Sequence, residues 1–354
     1  MNRLIIVGNG FDMAFGYKTS VEQFLTWLLT EEISKSQIFT DYRSTFIEFS
    51  ANYHLFEPIN LTQLKKMPLR ELFETFFPKL YIWKSSFLEG VLKKGQSKGW
   101  YEIEASYYKS LQGLFALPGA TNDKALKKLN AEMEQLVQKL NEYLLTQNEP
   151  RELDNEQIVF LKGLGELNEI SGFSQADIEK MIFVNFNYTD ILKHAITQVK
   201  YYNEPEIIHV HGRLNGSDNE PILVGYGDDM DINFSRIENS KNMEAAKFIK
   251  SFHYERNESY SKLFDICESD EFNVYILGHS CGTTDKTLLK SLVEHRNCKK
   301  IRLFHKGNYD DFFKRNVALS RYFENKQDRR FKMLAFDIDD VMPTLTKSKM
   351  TVHG

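Results

Sequence analysis

The fold is decided by the stretch LIIVGNG at residues 4–10, a short β-branched run that ends in a glycine turn. An uninterrupted apolar run of this length is typical of a strand that is buried on both faces of a parallel sheet. The glycines permit a tight turn and a close approach of the backbone to a phosphate. The full pattern G-x-G-x-x-G fails, because position 13 is Met. The stretch therefore predicts the first β–α unit of a parallel sheet, with a glycine turn that either contacts a nucleotide or is a plain tight turn.

The other strands of this sheet are predicted only after residue 175. They cover residues 181–184, 207–210, 222–224, 274–277, 301–304 and, at an edge, 331–336. Helical patterns over residues 238–266 and 284–295 lie between them. Strands that alternate with helices predict a mainly parallel α/β sheet.

The long segment between the first strand and the others has almost no strand signal. Thr19 and Glu22 form a T-x-x-E capping box at the start of a helix. Leucines spaced by three and four predict a helix over 123–145, and an aromatic-rich stretch predicts one over 72–92. We therefore predict an α/β fold with a Rossmann-like, mainly parallel sheet and helices on both faces. Residues 1–20 and 176–354 form that domain, and residues 21–175 form a large inserted helical domain.

Composition and charge exclude several classes of protein. The net charge of −4 argues against a generally basic nucleic-acid-binding surface. Cys267, Cys281 and Cys298 have no paired spacing, which predicts reduced thiols, a cytoplasmic location and no zinc ribbon. The apolar run at the N-terminus is too short for a signal peptide or a membrane helix. Residues 286–332 hold 14 Lys and Arg against 5 Asp and Glu, which indicates a solvated helical face or a docking surface for phosphate-rich partners.

Polar residues follow two of the predicted strands. They are Asn185, Asn187 and Tyr188 after one strand, and His211 and Gly212 after the next. Polar side chains at the carboxyl ends of parallel strands point into the ligand crevice. An Asn there holds a water or a ribose hydroxyl, or it closes the strand in an Asx turn. Asp12, just beyond the glycine turn, is placed to contact a ribose or a base, or to cap the next helix.

Two motifs allow other chemistry. His209 and His211 share a face if both lie in a strand, but no further ligand follows at a standard spacing, so we expect no metal. The stretch GHSCG at 278–282 matches the G-x-S-x-G nucleophile elbow of α/β-hydrolases, with Ser280 as the nucleophile. The His and acid that this reading requires would be His353 with Asp337 or Asp340, or His305 with Asp285 or Glu294.

Taken together, four motifs resemble those of the bacterial abortive-infection H (AbiH) family of phage-defence proteins. The motifs are GNGFD at 8–12, NFNYTD at 185–190, HVHG at 209–212 and GHSCGTTD at 278–285. They occur in the order and spacing of that family. The same skeleton resembles the wider sirtuin-like NAD-binding superfamily.

The resemblance implies roles for individual residues. Asn187 and His211 stand at the catalytic positions of sirtuins, and Ser280 stands at a nucleotide contact rather than at a nucleophile. The residues that the resemblance assigns to NAD binding are Gly8, Asn9, Gly10, Asp12, Asn185, Tyr188, Gly212, Gly278, His279, Ser280 and Asp285.

Departures from sirtuins narrow the expected function. Thr189 replaces a sirtuin Asp, the stretch 18–20 lacks the usual Pro-Asp-Phe-Arg run, and there is no zinc module, so protein deacylation is not expected. Sirtuin-like domains of defence systems also lack that module and commonly hydrolyse NAD. We therefore predict a cytoplasmic antiphage NAD+ glycohydrolase (NADase) that releases nicotinamide and ADP-ribose.

Two alternatives to this activity stay open. One is a module that senses NAD or ADP-ribose without turnover, and the other is the serine hydrolase. A phage-derived trigger and a homo-oligomer are further expectations. A membrane and nucleic acid are not expected partners.

Overall fold

The centre of the molecule is a five-stranded parallel sheet. The computed structural model describes residues 1–343 except 39–42, 50–60, 65, 77–80, 94–98, 116–118, 167–177, 215, 217–219 and 257. The strands are β1 (Asn2–Val7), β2 (Ile47–Phe49), β3 (Tyr81–Trp83), β4 (Met181–Asn185), β5 (Glu206–His209), β6 (Phe272–Leu277) and β7 (Cys298–Leu303). The large sheet has the spatial order β5-β4-β1-β6-β7, and β2 and β3 form a separate antiparallel pair.

The strand order reverses direction at β1. This strand pairs in parallel with β4, where Ile5 lies opposite Phe183, and with β6, where Ile5 lies opposite Tyr275. The chain fills one side of β1 with β4 and β5 and then the other side with β6 and β7. This is the 3-2-1-4-5 order of Rossmann-type sheets, which places a topological switch point between β1 and β6.

Alternate residues of β1 face two separate apolar cores. Leu4 and Ile6 pack in a core that includes helical residues between 260 and 323, whereas Ile5 and Val7 pack in one that includes residues between 11 and 17 and between 161 and 199. All four side chains are fully buried. Both faces of the sheet are therefore covered, as an uninterrupted apolar run requires. The prediction of a Rossmann-like, mainly parallel sheet is confirmed.

Helices flank the sheet and fill the segment between β1 and β4. They are α1 (Asn9–Ala14), α2 (Val21–Ile38), α3 (Leu61–Leu64), α4 (Leu69–Glu71), α5 (Ser86–Lys93), α6 (Trp100–Leu114), α7 (Gly119–Leu145), α8 (Asn155–Glu166), α9 (Ile191–Ile196), α10 (Phe234–Glu238), α11 (Ser259–Ser269), α12 (Lys286–Val293), α13 (Tyr309–Ser320) and α14 (Lys326–Lys332). Short 3-10 helices cover Met243–Ala246, Lys250–Arg256 and Thr283–Asp285, and a π-helical turn covers Leu72–Phe76. None of the described helices is both long enough and apolar enough to cross a membrane.

A third apolar core belongs to residues 21–145, which we call the helical block. The predicted helix over 123–145 is present as α7, and its Leu126, Met133 and Leu140 are buried in this core. Buried residues between 214 and 249 pack in the same core. The helical block and this later segment therefore share one core, and the division into two domains at residue 175 stays a prediction.

Two predicted strands are not strands in the structure. In residues 222–224, the Leu223 N–H donates to the His211 carbonyl (2.8 Å), and Ile222 and Val224 pack against the core of the helical block. Residues 331–336 begin inside α14, and Met333 makes only an isolated bridge to Ile301. In the second stretch, Met333 and Phe336 pack against the core that contains Leu4 and Ile6, whereas Phe331 is exposed.

Two predicted helices are divided in the structure. Residues 72–92 contain the π-helical turn, β3 and most of α5, and residues 238–266 contain two 3-10 helices and part of α11. β2 and β3 were also missed within the segment that has little strand signal. Each of these elements spans only a few residues, too few to establish a period in the sequence.

The capping box of α2 lies one residue later than predicted. The Ser20 hydroxyl accepts a hydrogen bond from the Gln23 N–H (3.2 Å), and the Gln23 side chain accepts one from the Ser20 N–H (3.1 Å). Thr19 is buried instead. The S-x-x-Q and T-x-x-E patterns overlap here, and both satisfy the rule for a capping box.

Candidate functional site

A cleft of about 370 Å³ opens at the carboxyl ends of β1, β4 and β6, beside the topological switch point. It is lined by every residue that was predicted for NAD binding and catalysis except Asn185 and Gly212. The helical block forms the opposite wall with Trp100, Tyr101 and Glu104 of α6. An occupant of this cleft would therefore contact both the sheet and the helical block.

Gly8 and Gly10 hold the turn after β1 against the turn after β6. The Gly8 N–H donates to the Leu277 carbonyl (3.0 Å), and the Gly10 N–H donates to the Gly278 carbonyl (2.9 Å). A Cβ on Gly10 would lie 2.7 Å from the Cα of Gly278. Both N–H groups donate to carbonyl groups of the protein. They therefore do not point at a phosphate, as the sequence had led us to expect. The glycines are needed for the close contact of the two turns.

Asp12 is a buried carboxyl group beside the glycine turn. Its two oxygens accept hydrogen bonds from the Asn187 amide (2.7 Å) and the Thr189 hydroxyl (2.7 Å). Burial raises the pKa of Asp12 to about 7, although these two hydrogen bonds oppose the rise. Asp12 lies inside α1 and not at the start of α2, so it does not cap the next helix. A carboxyl group that titrates near neutral pH in a cleft is a feature of functional sites.

The burial of Asp12 predicts a measurable pH dependence of stability. The folded state holds this proton up to about pH 7, whereas the unfolded chain releases it near pH 3.8, so wild-type stability falls as pH rises through that window. We expect Asp12→Asn to remove this loss, which is on the order of 4 kcal/mol over the window. Urea unfolding between about pH 4 and pH 8 measures it. Identical pH slopes for variant and wild type would contradict the assignment.

His211 presents an uncharged imidazole to the cleft. Its Nε2 lies 3.4 Å from Oδ1 of Asp285 and has no hydrogen-bond partner among the described residues. Burial, followed by the charge of Lys250, lowers the pKa of His211 to about 3. A hydrogen bond to the backbone of Phe186 engages the ring as well. Because Nε2 itself is unpartnered, that bond involves Nδ1, and Nε2 is the nitrogen that can accept a proton.

A buried cluster of charges behind His211 was missed by the sequence analysis. The Lys250 ammonium lies 2.7 Å from Oδ1 of Asp285 and 2.9 Å from Oε1 of Glu104, and its side chain is 2% exposed. Burial alone would lower the pKa of Lys250, but the two carboxyl groups raise it overall. Burial would likewise raise the pKa of Asp285, but Lys250 holds it below its usual value. No local pattern marks Lys250 or Glu104, since each is one charged residue on a short or amphipathic helix.

The G-x-S-x-G stretch lies at the end of β6 and lacks the contacts of a serine nucleophile. Ser280 is exposed in the cleft, and no hydrogen bond links it to a histidine among the described residues. Nδ1 of His279 accepts a hydrogen bond from the Cys281 N–H (3.1 Å), and its Nε2 faces Asp285 at 3.4 Å. Both ring nitrogens of His305 are hydrogen-bonded to the backbone. His353 lies outside the described residues.

Asn185 and Gly212 are predicted site residues that do not line the cleft. The Asn185 side chain accepts a hydrogen bond from the Asn187 N–H (3.0 Å), so it forms the Asx turn that closes β4. Gly212 has φ +73°, and a Cβ there would lie 2.0 Å from the Pro221 carbonyl oxygen. Both residues shape the loops that carry Asn187 and His211.

His209 and His211 do not form a metal-binding pair. β5 ends at His209, and the two side chains line different cavities. The alternation of a strand therefore does not extend to His211. Among the residues that the structure describes, there is no group of three or more His, Cys, Asp or Glu that could hold a metal ion.

Two cations of the basic stretch 286–332 reach the cleft. Lys306 follows β7, and Arg315 lies on α13. Arg315 donates to the Asp311 carboxylate (2.9 Å) and to the His279 carbonyl (3.1 Å), which fixes its guanidinium beside the turn after β6. These residues add positive charge to the lining of the cleft, whereas Asp12 and Asp285, which also line it, are buried.

The comparisons with known proteins agree with the motifs. The model of the family described as bacteriophage abortive infection AbiH matches residues 4–306. This match spans β1 to the loop after β7 and includes each cleft residue discussed above except Arg315. No curated protein that was compared with the chain is significantly similar to it. Since the match covers most of the chain, the protein belongs to the bacteriophage abortive infection AbiH family.

Proposed function

We propose that this AbiH-family protein is an NAD+ glycohydrolase that acts in abortive-infection defence and releases nicotinamide and ADP-ribose. One observation carries the proposal. The cleft at the switch point of a Rossmann-ordered sheet holds an unpartnered imidazole nitrogen, on His211, within 3.4 Å of a carboxylate. Sheets of this order bind nucleotides at that point.

The charge distribution along the cleft supports a bound dinucleotide. Lys306 and Arg315 suit a diphosphate, and the glycines that line the cleft, Gly8, Gly10 and Gly278, bring no side chain into it. Asn187 and His211 line the same cleft, and we expect the nicotinamide riboside to bind against them. The aromatic rings of Trp100 and Tyr101 form the opposite wall and suit contact with a ring of the ligand.

The reaction requires little acid catalysis. The N-glycosidic bond breaks with its electron pair moving to the pyridinium nitrogen, so nicotinamide leaves as a neutral molecule and the ribose becomes oxocarbenium-like. Water then adds to C1 of the ribose, and its proton passes to Nε2 of His211. Asp285 is close enough to stabilise the imidazolium that forms. Asn187, which is held by Asp12, orients the water or a ribose hydroxyl.

The wall supplied by α6 favours a second candidate function. Because an occupant would contact both the sheet and the helical block, binding alone could be transmitted between them. In that case the protein senses NAD or ADP-ribose and signals without turnover. Binding without cleavage distinguishes this candidate from the hydrolase.

The deciding experiment incubates the purified chain with NAD+ and follows nicotinamide release by chromatography, alongside calorimetric titration with NAD+. We expect release of nicotinamide in step with ADP-ribose. The assay is repeated with an extract of phage-infected cells, since a toxin of this kind is expected to be silent at rest. Saturable binding with no nicotinamide in either condition would favour the sensor. No binding of NAD+ in either condition would overturn both candidates.

A further inference from the structure

The buried cluster of Glu104, Lys250 and Asp285 links the helical block to His211 at the end of the sheet. The link passes through one oxygen atom, Oδ1 of Asp285. Oδ1 of Asp285 accepts a hydrogen bond from the Lys250 ammonium (2.7 Å) and also faces Nε2 of His211 (3.4 Å). The ammonium is held from its other side by Glu104 (2.9 Å). Glu104 is itself fixed by the Gly225 N–H, which donates to it at 3.1 Å. The Lys250 ammonium is therefore held between the two carboxyl groups.

Stability gives little reason for such a cluster. Taking an ammonium and its carboxylates out of water costs about as much as their attraction returns, and apolar side chains of similar volume often serve as well. The position of Lys250 matters more than its pairing, because it neutralises the very oxygen that His211 faces. A lone carboxylate at 3.4 Å would favour the imidazolium.

We propose that Lys250 is a positioning residue that acts through Asp285: it neutralises the carboxylate oxygen that faces Nε2 of His211 and so lowers the basicity of that nitrogen. The proposal rests on the proposed function only in taking His211 as the proton acceptor. Lys250 lines the cleft but is enclosed by the two carboxyl groups, so its effect reaches the ligand through His211.

The groups that face His211 act in opposite directions. Asp285 favours the charged ring, as does the hydrogen bond to the backbone of Phe186. Lys250 and His279 oppose it, and burial opposes it most. The rings of Phe186 and Tyr188 lie against the imidazole, at centroid distances of 4.9 Å and 6.5 Å. Neutralising Lys250 isolates its contribution, because the carboxylate of Asp285 and the rings of Phe186 and Tyr188 are left unchanged.

The test measures the titration of His211 itself. The chain has nine histidines, so the His211 signal in a ¹³C-histidine NMR spectrum is identified by its loss in His211→Gln. The informative variant is Lys250→Met with Glu104→Gln, which removes the ammonium and its second carboxyl partner together. Glu104→Gln alone is the matched control, because it keeps the ammonium on Asp285.

We expect the pKa of His211 to rise by about one to three units in the double variant, since an anion within this distance has an effect of that size. The pKa should stay low in Glu104→Gln and in Lys250→Arg, which keeps the charge. Lys250→Gln keeps a donor between the carboxyl groups without the charge, and it provides the same measurement should the double variant not fold.

A His211 titration that is equal in the double variant and in Glu104→Gln would overturn the proposal. The NMR titration does not require turnover. It therefore tests the role of Lys250 even if the wild-type protein leaves NAD+ intact. If NAD+ is cleaved, the acidic limb of the rate–pH profile should move to higher pH in the double variant and not in Lys250→Arg.

Discussion

Replacing His211 by Gln is expected to lower the rate of NAD+ cleavage by about 10²–10⁴, the usual contribution of general acid–base catalysis. Gln fills a similar volume but cannot take up a proton, so no imidazolium forms beside Asp285. Because both side chains are neutral at neutral pH, the fold should be retained. Initial rates of nicotinamide release measure the effect, and circular dichroism checks the fold.

His209→Gln is the matched control for this variant. His209 is the same residue type two positions earlier, but it lines another cavity, so its replacement should leave the rate within the error of wild type. Asn187→Ala should reduce the rate as well, and it also removes a hydrogen bond from Asp12. Wild-type turnover by a folded His211→Gln protein would mean that the proton goes elsewhere.

Replacing Gly278 by Ala is expected to destabilise the protein and to weaken nucleotide binding. Gly278 has φ +64°, and a Cβ there would lie 2.2 Å from the Phe11 backbone nitrogen. The left-handed conformation and the forced separation of the two turns together should cost roughly 2–5 kcal/mol. Since these turns form the floor of the cleft, the affinity for NAD+ should fall too. Urea unfolding and calorimetric titration measure the two effects.

Gly163→Ala is the matched control, because Gly163 lies in a helix and not in a tight turn. Gly163 lies in α8 with no atom within 4 Å of the added Cβ, so Ala should stabilise the protein by about 0.5–1 kcal/mol. The two substitutions add the same methyl group and should change stability in opposite directions. If Gly278→Ala were as stable as wild type, the close contact of the two turns could not be what requires glycine.

The strands of the sheet could be predicted because each is marked by its own residues. The apolar runs in β1, β4 and β6 reflect burial on both faces, which is a local property of the sequence. Residues 222–224 carry the same mark for another reason, since they pack on the helical block and not in the sheet. An apolar run records that a segment is buried, but not which layer buries it.

Some residues of the candidate site could be predicted from the sequence, and others could not. Asn187, His211 and Ser280 could be proposed because each follows a strand, and the ends of parallel strands meet at one edge. Lys250 and Glu104 follow no strand, and only the packing of the helical block brings them to Asp285. The use of the Gly8 and Gly10 amides also could not be foreseen, because it depends on the contact with the turn after β6.

The place of β1 in the middle of the sheet has a consequence for synthesis in the cell. β1 leaves the ribosome first, but its partners β4 and β6 are made much later, with Tyr275 opposite Ile5. At ordinary rates of translation its apolar run Leu4–Val7 waits roughly 15–55 s for the second neighbouring strand. The cleft also needs residues from Gly8 to Arg315, so a chain that is still being made, or one cut short, has no complete site. If the protein is a toxin to its host, interrupted synthesis yields harmless fragments.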